Sequence, residues 1–79
     1  MRNELIKDIR MYKGMSQKQF SKWLNVHCST IANVESNHRP VSKNLADIIA
    51  LKFDVSDPDF VAYRERKKNA RDYFFNNYR

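Results

Sequence analysis

Apolar residues along the chain recur three and four positions apart, and alternation with period two is absent, so the pattern predicts helices throughout. In residues 3–13, Leu5, Ile6, Ile9 and Tyr12 make the apolar side of a first helix, with Asn3 as its cap and Glu4 in its first turn. Lys13 near the negative end and Gly14, the single glycine, mark its stop, and Met15 follows as an inward anchor. Ser16 and Gln19 form a capping-box pair, after which Phe20, Trp23 and Leu24 give a second helix its buried side. Asn25 ends that helix, because Asn tolerates the left-handed conformation of a tight C-terminal turn. Val26 tucks between this helix and a third that begins at His27. Ile31 and Val34 face inward there, which leaves Cys28, Ser29, Ala32 and Asn33 on a side with no large apolar residue. A short helix with a small, polar outer side suits a groove better than a core.

Pro40 prevents that helix from continuing, so residues 36–40 are a loop with donors on Asn37, His38 and Arg39. Ser42 caps a fourth helix that reaches about residue 53, with Leu45, Ala46, Ile49, Ala50 and Phe53 buried and Ile48 and Leu51 at the margin. Asp57 as cap and Pro58 at the first position open a fifth helix, running to about residue 73. Its character differs: the charged run RERKKNAR is bracketed by aromatic residues. Phe60, Tyr63, Ala70 and Phe74 share a spacing compatible with one stripe, interrupted by Lys67, and with Tyr73 they are expected to make a dimer or partner contact. Docking on the domain core, stacking on single-stranded nucleic acid and a frayed tail are the competing readings. Residues 1–56 are thus expected to form the domain, and residues 57–79 a C-terminal extension.

Composition narrows the picture. A chain of 79 residues makes one small domain, and folding buries only about 60% of the surface of so short a chain. A net charge of +6 and a pI near 9.7 suit an anionic partner, nucleic acid or an acidic protein surface, with a merely basic soluble domain as the alternative. One cysteine cannot form an internal disulfide, no apolar run approaches the ~20 residues of a membrane span, and no secretory signal opens the chain. A cytoplasmic protein is expected, without a membrane partner.

No catalytic constellation is present. His27 and Cys28 are adjacent, and neighbours on a helix point apart, so they do not form a base and nucleophile pair. His27, Cys28 and His38 match no metal-ligand spacing, and a single glycine cannot build a phosphate loop. The expectation is a binding protein that needs no cofactor or metal.

With Gln17, the turn of Asn25 and Val26, then Ser29, Thr30, Ile31, Val34 and Glu35 in register, the chain resembles the helix-turn-helix domain of the lambda repressor and Cro type, the XRE family. The resemblance covers about residues 4–55. Asn25 replaces the family's usual Gly, Ser21 its usual Ala and His27 its usual Ser or Thr cap, while Cys28 stands where relatives often carry Gln, Arg or Lys. The resemblance implies an all-α, five-helix lambda-repressor-like domain and a structural ion pair of Arg10 with Glu35. It also implies that the helix over residues 28–35 enters the major groove of double-stranded DNA. Base contacts would come from Ser29 and Asn33, with Cys28 and Ala32 in apolar contact; phosphates would be held by Gln17, Lys18, His27, His38, Arg39, Lys43 and Asn44. A homodimer on a partly palindromic operator, or a heterodimer with a related regulator, is expected, acting as a repressor of phage or mobile-element type. The alternative is a protein–protein modulator, an antirepressor or antitoxin, that binds a repressor and alters its DNA binding.

Overall fold

Five helices form among the described residues of the computed structural model, which describes the backbone of residues 1–77 and the side chains of residues 1–70. They are α1 (Asn3–Tyr12), α2 (Gln17–Leu24), α3 (Cys28–Glu35), α4 (Lys43–Lys52) and α5 (Pro58–Asn77). The helix boundaries follow from local chemistry. Ser16 accepts from the Gln19 amide at 3.1 Å while Gln19 Oε1 accepts from the Ser16 amide at 2.9 Å, so both halves of the capping box are made. Ser42 caps α4 by accepting from the Leu45 amide at 3.1 Å. At the other ends, Gly14, Asn25 and Asn37 all adopt left-handed backbone, with φ of 67°, 58° and 64°. In each case the following amide reaches back across the turn: Met15 to the Arg10 carbonyl, Val26 to Ser21, His38 to Asn33. This double closure satisfies carbonyls that the helix end would otherwise leave open.

Every helix contributes to one core, made of Ile6, Ile9, Phe20, Leu24, Ile31, Val34, Leu45, Ile49 and Phe60. Ser21 is also buried, with its hydroxyl donating to the Lys18 carbonyl at 2.8 Å, so the substitution for a small apolar residue carries no unsatisfied group. Tyr12, Phe53, Phe60 and Tyr63 meet as an aromatic cluster, with Phe53 edge-on to Phe60 at 4.9 Å and Tyr12 edge-on to Phe60 at 5.2 Å. Such geometry adds about 0.5–1.5 kcal/mol per pair to the burial itself. Lys13 lies over the Trp23 ring at 4.7 Å, and Lys52 donates to the Trp23 carbonyl at 2.8 Å, which closes the ends of α1, α2 and α4 together.

Several expectations are corrected. Asn3 does not cap α1: Arg2 holds the cap position and makes no side-chain cap bond. The first helix ends at Tyr12 with Lys13 as its cap residue, and α4 ends at Lys52 because Phe53 is extended. Ala50 is exposed and Leu51 is 88% exposed, so the buried side of α4 is narrower than its apolar content. α5 continues past residue 73 to Asn77. Phe60 is fully buried in the domain's own core, so it is not a dimer contact, while Tyr63 is half-buried and packs on Tyr12 at 5.3 Å. Lys67, which interrupts the apolar stripe, donates to Asp8 of α1 at 3.0 Å beside Arg64 at the same distance. The first turns of α5 dock by aromatic contact and the next by this charged clamp. Ala70 is exposed, whereas Tyr73 and Phe74 lie outside the residues whose side chains are described.

Candidate nucleic-acid interface

The placement of α3 begins with a charged group inside the fold. Arg10 Nε donates to Glu35 Oε2 at 2.7 Å and Nη2 to Oε1 at 2.9 Å, a two-point fork between α1 and α3. Its remaining nitrogen Nη1 donates to the Met15 carbonyl at 2.9 Å, tying in the segment that leads to α2. Gln17 Nε2 donates to Glu35 Oε1 at 3.3 Å, so α2 also holds the same carboxylate. The two charged side chains are only 13% and 5% exposed, which places the pair where partner loss is costly. The Glu35 hydrogen bond, aided by charge attraction, raises the Arg10 pKa above its ordinary value against the opposing effect of burial.

Ile31 and Val34 press α3 against the core, and the opposite side is turned outward. Ser29 is exposed, while Cys28, Ala32 and Asn33 are half-buried. Residues 29, 32 and 33 are spaced three and four apart and share one side of the helix, with residue 28 adjoining through residue 32. His27 is exposed at the helix start and serves as its cap, its Nδ1 accepting from the Ser29 amide at 3.1 Å. The Ser29 hydroxyl lies 2.7 Å from the same nitrogen.

At the other end the chain folds back over the last turn. The Asn33 carbonyl accepts from the amides of His38 and Arg39, and His38 Nδ1 lies 2.8 Å from the Ser36 hydroxyl. Asn3, freed from a capping role, latches this loop from α1: its Nδ2 donates to Asn37 Oδ1 at 3.2 Å and to the Arg39 carbonyl at 2.9 Å. His38 and Arg39 are thereby exposed on a loop whose backbone is fixed from both sides. Lys43 and Asn44 are exposed in the first turn of α4, where free backbone amides add to the positive end. Lys18 is exposed in the first turn of α2, and Gln17 beside it is half-buried by its bond to Glu35.

The structure thus gathers Asn33, His38, Arg39 and Gln17 around the last turn of α3, and His27 and Ser29 at its first. No hydrogen bond among the described residues joins Lys18, Lys43 or Asn44 to α3. Sequence reasoning missed the latch of Asn3 on residues 37 and 39. The hint lay in Ile6, since a capping box would place Glu or Gln there. Among the described residues no group of three or more His, Cys, Asp or Glu side chains is placed to hold a metal ion, and no helix is long and apolar enough to cross a membrane.

A family model described as HTH_3, helix-turn-helix, matches residues 6–60. Comparison with curated proteins and with solved structures returned no match.

Proposed function

Since the chain belongs to the helix-turn-helix family of lambda repressor and Cro type, a family of DNA-binding regulators, we propose that it is a sequence-specific repressor that inserts α3 into the major groove as a dimer. The observation that carries this reading is the outward side of α3, small and polar from Ser29 to Asn33, on a helix fixed by Arg10, Glu35 and Gln17. Asn33 reads adenine through its two-point amide, Ser29 reads a neighbouring base, and Cys28 and Ala32 lie against thymine methyl groups. Lys18, His27, His38, Arg39, Lys43 and Asn44 grip phosphates, together with the amide hydrogen of Gln17 that Glu35 does not use.

One copy has few base contacts, so a second copy on the other half of a partly palindromic operator, about 34 Å away, supplies the missing affinity. Ala70, Tyr73 and Phe74 on the distal part of α5 are the proposed partner contact. The partner is an identical chain or a related regulator, and repression follows from blocking polymerase. The setting is a phage or mobile-element switch in the cytoplasm.

A second reading draws on the absence of Lys and Arg from α3, which suits contact with a repressor as an antirepressor or antitoxin. A salt series separates the two. Lys18, Arg39 and Lys43 from each of two copies give a slope of log affinity against log salt of about −5 on duplex DNA. A flat salt response, with tight binding to a neighbouring repressor instead, makes the modulator reading the correct one.

A further inference from the structure

The pair at the start of α3 has a hydrogen-bond polarity that its geometry fixes. The Ser29 amide can only donate, and it points at His27 Nδ1 from 3.1 Å. That nitrogen therefore carries no proton, and in the neutral ring of this exposed residue the proton sits on Nε2. The Ser29 hydroxyl lies 2.7 Å from the same bare nitrogen, a distance at which two lone pairs would repel. In that tautomer the hydroxyl hydrogen joins the amide hydrogen on the single lone pair of Nδ1, a three-centre arrangement. What Ser29 presents outward is a hydroxyl oxygen with lone pairs and no hydrogen to donate.

We infer that Ser29 acts only as an acceptor toward the base edge, so that α3 selects a base bearing an exocyclic amino group, adenine or cytosine, at the position Ser29 faces. In the major groove adenine offers N6–H and cytosine N4–H, whereas guanine N7 and O6 and thymine O4 offer acceptors alone. A free serine serves either kind, so His27 turns an indifferent reader into a selective one. The histidine also gains a role beyond capping: with Nδ1 committed, its Nε2–H is left as a donor for phosphate. This inference rests on the reading of α3 as the element in the major groove.

The test is selection of bound duplexes from a randomised library by the wild-type chain and by Ser29→Ala, His27→Ala and His27→Asn. The wild type is expected to prefer adenine or cytosine by about three- to tenfold at one position, the worth of one neutral hydrogen bond. Ser29→Ala removes the preference there alone. His27→Ala frees the hydroxyl and admits guanine and thymine, while His27→Asn, a good cap with an acceptor oxygen, retains the wild-type preference. If His27→Ala does not fold, the His27→Asn result and the ring-nitrogen NMR spectrum of the free wild type, expected to show the proton on Nε2, decide the matter. A proton on Nδ1 overturns the inference, as does a Ser29-dependent preference for guanine or thymine; both leave the groove reading standing. Sequence-specific binding that Ser29→Ala leaves unchanged also overturns it alone. Absence of any sequence-specific binding overturns the groove reading and the inference together.

Discussion

Arg10 and Glu35 show how one pair of side chains fixes the angle of a helix. Neither charge is needed for stability in itself, since desolvation opposes the attraction across the fork. Together they connect α1, the approach to α2, and α3. Arg10→Ala or Glu35→Ala leaves a buried charge alone and is expected to cost about 3–5 kcal/mol in chemical denaturation. The double replacement Arg10→Met with Glu35→Leu is expected to lie near wild-type stability, a non-additivity that a double-mutant cycle reads directly. Equal and additive losses would mean that the pair is only a surface contact. At the same scale the proposed roles of two polar residues differ in kind. Asn33→Ala should relax discrimination at one base pair by about 1–3 kcal/mol and leave non-specific affinity intact. Arg39→Ala should weaken binding to every sequence and reduce the salt slope by about 2 for a dimer. Titrations on matched and scrambled duplexes check both.

At the scale of elements, what the sequence made legible was whatever is decided within a turn or two of chain. Ser16 with Gln19, Ser42, Gly14 and Asn25 act locally, and the structure places each as its type dictates. Asn37 escaped because residues 36–40 read as a row of donors, and its left-handed backbone is visible only once the turn is closed onto Asn33. Contacts across long separations were not legible. Nothing near Asp8 in the chain announces Arg64 and Lys67, and nothing near Asn3 announces residues 37 and 39. Phe60 carries the same lesson: spacing says which residues share a side of a helix, not what that side meets. Because it fills the domain's own core, Phe60→Ala is expected to cost about 3–5 kcal/mol in a denaturant melt. A melt within 1 kcal/mol of wild type would return α5 to the status of a loose extension.

For the whole molecule, a single small core has been given a long final helix. α5 has 20 residues and so spans about 30 Å, and among the described residues Phe60, Tyr63, Arg64 and Lys67 hold it to the core and to α1. The proposed division of labour follows: the core and the near part of α5 present α3, and the far part joins a partner copy at the spacing of two half-sites. In the proposed reading the basic balance of the chain serves approach to DNA from any direction, while the choice of sequence rests with a few side chains of α3. NMR of the isotopically labelled protein, titrated with a duplex taken from its own selection, tests this most directly. Shifts concentrated on residues 28–33, His38, Arg39 and Lys43, with the Ile31 and Val34 methyl groups still packed inward, are the predicted result. Shifts confined to α5 while Ser29 and Asn33 stay unmoved would contradict it.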